Sequence, residues 1–309
     1  MEWLAGIIAF VVASIAGMFP AHMVTYRAAP LPHVFPPSAT VLFGGDVMFD
    51  RSIRTTIEEK GGDFIFSCID DVLRGADMVV ANLEGPITST SSVSVGSTVG
   101  GKNNYTFTFA TSTAALLYEH NIRLVSIGNN HIMNFSRWGL GETKRYLDEA
   151  GVGYFGDPDA VEDGRVARVD IGGVNFSFVN WSDWTSDKTD HTVAQVREEA
   201  QSGRVVVVYT HWGEEYVPPP PRVRALAHSF VDAGAAIVIG SHPHIVQEHE
   251  VYNGTHIYHS LGNFIFDQYW EDAVRNGLLL RVRFDSSEVR SVQEIPIRLD
   301  QDRRTCPVR

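Results

Sequence analysis

Cysteine is nearly missing from this 309-residue chain, with Cys68 and Cys306 the only two. They lie far apart in sequence, one of them near the C-terminus. They read as a buried thiol and a tail residue, a mutual disulfide being the alternative, and they leave the redox compartment open. Basic charge is scarce as well. The 25 Lys and Arg against 37 Asp and Glu give a formal net charge of −12. That excludes a nucleic-acid surface, because neutralising phosphates takes clustered cations. It equally excludes the bare surface as a polyanion binder. A phosphorylated or polycarboxylate substrate would need local cations, which bound metal ions supply. No internal repeat is visible, and a hydrophobic fraction of 44% gives no sign of wholesale disorder. The length suits one large domain or two small ones with a sizeable core.

Long apolar runs are limited to one, residues 3–19, broken only by Ser14. It falls just short of the about 20 residues of a membrane-spanning helix. Glu2 is the only charge before it, so the basic n-region of a signal peptide is missing. Residues 1–19 are expected to be an uncleaved membrane anchor. The alternatives are a cleaved signal, for which Ser14-Ile15-Ala16 has the small-x-small form, and a buried helix. Arg27 alone does not fix orientation; a single N-terminal hydrophobic segment usually serves export, so a single-pass protein with its domain on the extracytoplasmic side is expected. Residues 20–39 hold Pro20, Pro30, Pro32, Pro36 and Pro37 and read as an extended linker. The folded domain is expected over 40–299, with 300–309 a polar tail.

What the chain does have is a set of short apolar, β-branched-rich runs, each followed by polar residues. Runs 41–43, 78–80, 124–127, 205–208 and 236–239 read as strands buried on both faces. Behind them come Gly45-Asp46-Val47-Met48, Asn82-Leu83-Glu84, Asn129-Asn130-His131, Thr210-His211-Trp212 and Gly240-Ser241-His242-Pro243-His244. A sixth cluster, Leu261-Gly262-Asn263, stands apart from such a run. Helical patterns at 64–73, 112–120, 137–150 and 221–233 alternate with the strands. Gly151 and Gly234 act as stops, and Pro221 suits a first turn. Alternation of this kind means βαβ units and a mainly parallel sheet. Segments 166–170, 174–179, 256–258 and 278–283 lack crossover helices and are expected to form a second, partly antiparallel sheet. The fold class is therefore α/β, a two-sheet sandwich flanked by helices. Residues 89–104, rich in Ser, Gly and Thr, read as a long surface loop.

Ligands of open α/β sheets bind beyond the carboxyl ends of the strands, where Asp, Glu, Asn and His collect here. A two-metal hydrolytic site needs a bridging carboxylate, further N and O ligands and a proton donor for the leaving group. Asp46, Glu84, Asn130, His211, His242 and His244 supply the ligands, and His131 remains as an acid. Singly, each has an ordinary reading. Asp46 reads as a helix cap, Glu84 as a solvated turn residue, Asn129-Asn130 as turn formers and His211 as a satisfied histidine under Trp212. Together they point to one metal site. Arg51 and Arg54 read as a solvated helix face, with an anionic substrate as the alternative. Trp181, Trp184 and Trp212 read as core or rim packing. Asn263 borders the site, and His249, His256 and His259 read as structural or exposed.

These motifs, with Ser260-Leu261-Gly262-Asn263-Phe264 and His211-Trp212-Gly213, resemble the bacterial capsule-synthesis CapA family over about residues 41–283. That family is associated with poly-γ-glutamate and is similar in fold to calcineurin-like metallophosphoesterases. The resemblance implies an N-terminal anchor, a domain outside the cytoplasm and one or two divalent ions (Mn, Fe or Zn). It also implies a polymer or phosphoester substrate and a membrane-bound capsule synthesis complex as partner. By motif, Asp46, Glu84 and His244 would hold one ion, and Glu84, Asn130, His211 and His242 the other, with Glu84 bridging. His131 matches the histidine that protonates the leaving oxygen. The implied activity is hydrolysis of a phosphoester or γ-glutamyl bond, the alternative being a non-catalytic, metal-dependent polymer-binding subunit. Two departures stand out. Met48 occupies the position of a phosphoesterase histidine ligand, and a thioether suits hard divalent ions poorly. Asn134-Phe135-Ser136 replaces an Asp-Tyr-Gly.

Overall fold

The computed structural model describes residues 36–160, 165–185 and 189–308. The anchor or signal segment expected at 1–19, and all of the linker before residue 36, lie outside the described residues. Among the described residues no helix is long and apolar enough to cross a membrane.

Two sheets form. In the first, β1 (Ser38–Val47), β2 (Met78–Leu83), β3 (Ile122–Ser126) and β4 (Gly153–Phe155) run parallel. On the other side of β1 lie the antiparallel β12 (Asn276–Asp285), β13 (Val289–Leu299) and β14 (Thr305–Pro307). A short strand, β11 (Asn263–Ile265), pairs in parallel with the end of β1. The second sheet orders β5 (Val166–Ile171), β6 (Val174–Ser182), β7 (Val205–His211), β8 (Ile237–Ser241), β10 (Thr255–Tyr258) and β9 (His249–Tyr252). Its middle strands are parallel, and β5 and β9 are antiparallel edges.

Period-two alternation explains the layering. Val41, Phe43 and Val80 face Val205, Val207, Tyr209 and Ile239 across the space between the sheets. Leu42, Val79, Ala81 and Val125 face outward against helices. These are α1 (Arg51–Lys60), α2 (Asp63–Phe66), α3 (Asp70–Arg74), α4 (Thr113–Glu119) and α5 (Ser136–Ala150). Val206, Val208 and Val238 face outward under α6 (Thr189–Gln201) and α7 (Pro221–Ala233). The result is a helix–sheet–sheet–helix sandwich, with both faces of the central strands buried, as their uninterrupted apolar runs imply. Helix α5 stops at Gly151 (φ 75°) and α7 at Gly234 (φ 112°), both left-handed.

Several expectations need correction. Segment 278–283 belongs to β12 and pairs with β1, while β7 and β8 lie in the second sheet with β5, β6 and β10. Alternation marks a strand but not its partner, which long-range packing selects. The helix expected at 64–73 is two short ones, α2 and α3. The polar tail at 300–309 is not a tail throughout: β14 extends the first sheet, Thr305 is buried, and Cys306 forms a disulfide with Cys68. Of the two readings of the cysteines, the pair is therefore the one realised.

Candidate metal centre

Register brings the polar clusters together. In the first sheet Asp46 lies beside Asn82 on one side and Asn263 on the other. In the second, His211 lies between Ser182 and Ser241. Apart from Asn263, which opens β11, each row sits at the carboxyl end of its strands, and the two rows face one another. Gly45 permits the close approach of β1 to the β11 loop: a Cβ there would lie 1.8 Å from Gly262 O. The turn after β8 is strained, with His242 at φ 96° and His244 at φ 56° on either side of Pro243. Backbone strain of this kind persists where surrounding structure over-determines it, typically at functional sites.

Side-chain donor atoms of Asp46, Glu84 and His244 all lie within 4.8 Å of one another, as do those of Glu84, His211 and His242. Glu84 is common to both groups. Glu215, which its sequence context did not single out, forms a further group with His242 and His244. His244 Nε2 is 3.5 Å and His131 Nε2 4.0 Å from Glu84 Oε1. His211 Nδ1 lies 3.0 Å from Ser241 Oγ, whose own proton goes to Thr210 O. Asn82 Nδ2 lies 3.3 Å from the same Nδ1, and His211 Nε2 lies 2.9 Å from Asn130 Oδ1. His244 Nδ1 donates to Asn263 Oδ1 at 2.9 Å, which fixes its tautomer and leaves Nε2 facing Glu84. Asn82 Nδ2 donates to Asp46 Oδ1 (2.8 Å) and Asn129 Nδ2 to Asn82 Oδ1 (3.0 Å). All six expected ligands thus converge, with Asn82, Asn129, Ser241 and Asn263 as their supports.

The electrostatics fit a divalent ion. Glu84 is wholly buried, yet neither of its oxygens has a hydrogen-bond partner among the described residues. An ionised carboxylate in that state carries a large desolvation cost unless a cation offsets it. Burial raises the Asp46 carboxyl to about 7. Burial, with the charge of Asp46 beside it, holds Glu84 well above the usual carboxylate range. Burial also lowers His131 and His242 to about 4 and holds His211 and His244 well below the ordinary imidazole value. Neutral imidazole is the form that ligates metals. Met48 stays out of the donor set: it is buried in the helix-side core, and its sulfur takes the Asp50 N–H at 3.0 Å.

Other expected roles divide. Trp181 and Trp212 are buried packing, with Trp212 Nε1 donating to His259 O. Trp184 is exposed on the rim, its ring 4.1 Å from that of His242. His259 is structural, its Nε2 3.3 Å from Glu250. Arg51 and Arg54 do not form a solvated face. Arg54 donates to Thr108 O, and Arg51, at φ 50°, has a side chain only 13% exposed, with Nη2 2.5 Å from Asp267 Oδ1. The cause is long-range: the 89–108 segment folds over the start of α1, where Thr108 N donates to Asp50 Oδ2.

The profile of the family described as bacterial capsule synthesis protein PGA_cap matches residues 40–268. The PGA biosynthesis protein CapA of Bacillus subtilis is 33% identical over 245 residues, 74% of this chain and 63% of that protein. The capsule biosynthesis protein CapA of Bacillus anthracis is 29% identical over 266 residues, 80% and 64%. A probable polyglutamine synthesis accessory protein of Mycobacterium tuberculosis is 29% identical over 170 residues, 46% of this chain and 44% of that protein. The alignments span under two thirds of the length of these relatives.

Proposed function

The chain belongs to the bacterial capsule synthesis protein family PGA_cap, and on that premise we propose that it serves poly-γ-glutamate capsule synthesis or export as a divalent-metal-dependent hydrolase at the membrane. The observation that carries the hydrolase reading is the wholly buried, unpartnered Glu84 carboxylate shared by two donor groups. The donor set fits one or two ions of the Mn, Fe or Zn type. Asp46, Glu84 and His244 would hold one, and Glu84, Asn130, His211 and His242 the other. Such ions supply Lewis acidity for hydrolysis of a γ-glutamyl amide or a phosphoester. His131 is the proton-handling group. Its Nδ1–H is held by Asn134 Oδ1 at 3.2 Å and its Nε2 faces the site. Burial lowers it to about 4 and keeps it neutral, so it takes up a proton, and can pass one to a leaving group, only where the added negative charge of a bound substrate stabilises the imidazolium. The Cys68–Cys306 disulfide suits an oxidising compartment, which favours an extracytoplasmic domain carried by the anchor expected at 1–19.

Metal titration of the chelator-treated full chain tests the centre, with bound Mn²⁺, Zn²⁺ or Fe²⁺ counted by elemental analysis. Turnover of a γ-glutamate oligomer or a phosphodiester, lost in Glu84→Ala and His131→Ala, supports the enzyme. Met48 favours a second reading, a non-catalytic subunit that holds polymer carboxylates through an ion, because the Asp46 group has no further protein ligand from β1. Metal uptake without turnover of either substrate selects that reading. Failure to take up any of these ions ends both.

A further inference from the structure

Beside the metal centre lies a cavity of about 390 Å³ that this function leaves unassigned. Arg51 forms its charged wall with Asp267; Ser94, Ser97 and Asn104 come from the long loop, and Tyr216, Gln268 and Trp270 from the opposite side. Among the described residues Arg51 is the only cation lining it, in a chain of net charge −12. Its partners leave most of its hydrogen-bonding capacity unused. A guanidinium offers five N–H donors, and Asp267 contacts Nη2 without completing a hydrogen bond. Nε and Nη2, both shielded from solvent here, lack hydrogen-bond partners, so the guanidinium must turn from Asp267 to present them to a ligand. Asp267 Oδ2 is already committed to the Ser52 N–H and Oγ–H. Instead the guanidinium lies over two aromatic rings, 5.1 Å from the centroid of Phe107 and 5.4 Å from that of Phe266. Those same rings back the metal centre, Phe107 at 4.4 Å from His131 and Phe266 at 4.9 Å from His244.

A chain of hydrogen bonds also joins cavity and centre. His244 donates to Asn263, Asn263 Nδ2 to Gln268 Oε1 (2.9 Å), and Gln268 Nε2 to the Tyr216 hydroxyl (3.1 Å). The cavity wall is therefore held in register with a metal ligand. A γ-linked glutamate chain presents a free carboxylate next to each amide, and a guanidinium fork matches that carboxylate in shape and charge. Tyr105 and Trp270, both exposed on the cavity lining, offer flat apolar faces for the methylenes between.

We propose that this cavity is a subsite for a free carboxylate of a γ-glutamyl substrate whose amide lies at the metal centre, with Arg51 as the specificity-determining residue; this rests on the polymer reading above. The test is equilibrium binding of a short γ-linked glutamate oligomer, and of its α-carboxamide analogue, to the Mn²⁺-loaded full chain. The wild type is expected to prefer the carboxylate form by about tenfold or more, as loss of a charge-assisted contact implies. Arg51→Gln should abolish that preference at unchanged metal content in a chain that stays folded, although its thermal midpoint falls because the Asp267 carboxylate loses its partner. Arg51→Lys, which keeps the charge but not the fork, should retain part of it. Arg290→Gln, on the distant β13, should change nothing. If the wild type binds both oligomers equally, or a folded Arg51→Gln or Arg51→Lys keeps the full preference, the subsite is wrong while the polymer reading stands. If the wild type binds neither oligomer, the polymer reading fails and takes the subsite with it.

Discussion

The two sheets bring opposite chemistry to one place. The first contributes oxygen: Asp46 at the end of β1, Glu84 after β2 and Asn130 after β3. The second contributes nitrogen: His211 at the end of β7, and His242 and His244 after β8. Burial acts on the halves in opposite senses, raising the carboxyls and lowering the imidazoles, because in each case it disfavours the charged form. Neither half makes a site alone. Facing one another they leave acceptors opposed to acceptors, and a divalent cation relieves both at once.

The largest break in this symmetry is expected from Glu84→Gln, since Glu84 is common to both donor groups. Metal affinity should fall by at least about 100-fold, beyond the usual effect of losing a supporting partner, as read by elemental analysis after dialysis. In chelator the same variant should melt no lower than wild type, because it removes a buried carboxyl with no partner. Retention of full metal content would remove Glu84 from the bridging position. Next come His242→Ala and His244→Ala, which separate the two groups. Each should lower the calorimetric stoichiometry by about one ion, and in combination they should abolish binding. Equal loss of all metal in both singles would mean one shared site. Asn263→Ala should be milder, about 10-fold in affinity, because it frees the His244 ring without removing a ligand.

The smallest effect, and the one that sharpens the contrast between the halves, is the pH dependence of the metal-free chain. Between about pH 4.5 and 6.5 the unfolded chain holds protons on His131, His211, His242 and His244 that the native protein has lost. The native protein meanwhile keeps protons on Asp46 and Glu84 that the unfolded chain has lost. The imidazoles outnumber the carboxyls, so the unfolded state binds more protons and these groups make stability rise with pH. Above about pH 6.5 only the carboxyls still differ. The native state then binds more protons, and their contribution falls as pH rises through the Asp46 value of about 7. Urea midpoints across this range should pass through a maximum in chelator, and saturating Mn²⁺ should remove the decline above it. A midpoint still rising at pH 7.5 in chelator would contradict the raised carboxyls.

Much of this was legible in the chain itself. The apolar runs at 41–43, 205–208 and 236–239 read as strands covered on both faces, and the polar residues behind them read together as one site at the carboxyl ends, although the structure divides those strands between two sheets. That sufficed to name Asp46, Glu84, Asn130, His211, His242 and His244. Arg51 was legible only as an alternative: an anionic substrate was open to it, but a solvated helix face was the reading, and the structure overturns that face. Arg51 is covered by a loop some fifty residues away, anchored through Thr108. Glu215 was hidden for a similar reason: nothing local marks an exposed glutamate as a neighbour of His242 and His244.

Local pattern decided what each segment is, because side-chain alternation and helix stops are properties of a few neighbouring residues. It could not decide which sheet a strand joins: β12 went to β1, and β14 turned an apparent tail into an edge strand closed by Cys68–Cys306. Pairing, the meeting of the two ligand rows and the cavity at Arg51 follow from packing between segments far apart in sequence. Their free energy depends on the fit of buried faces, which exists only once the chain has folded.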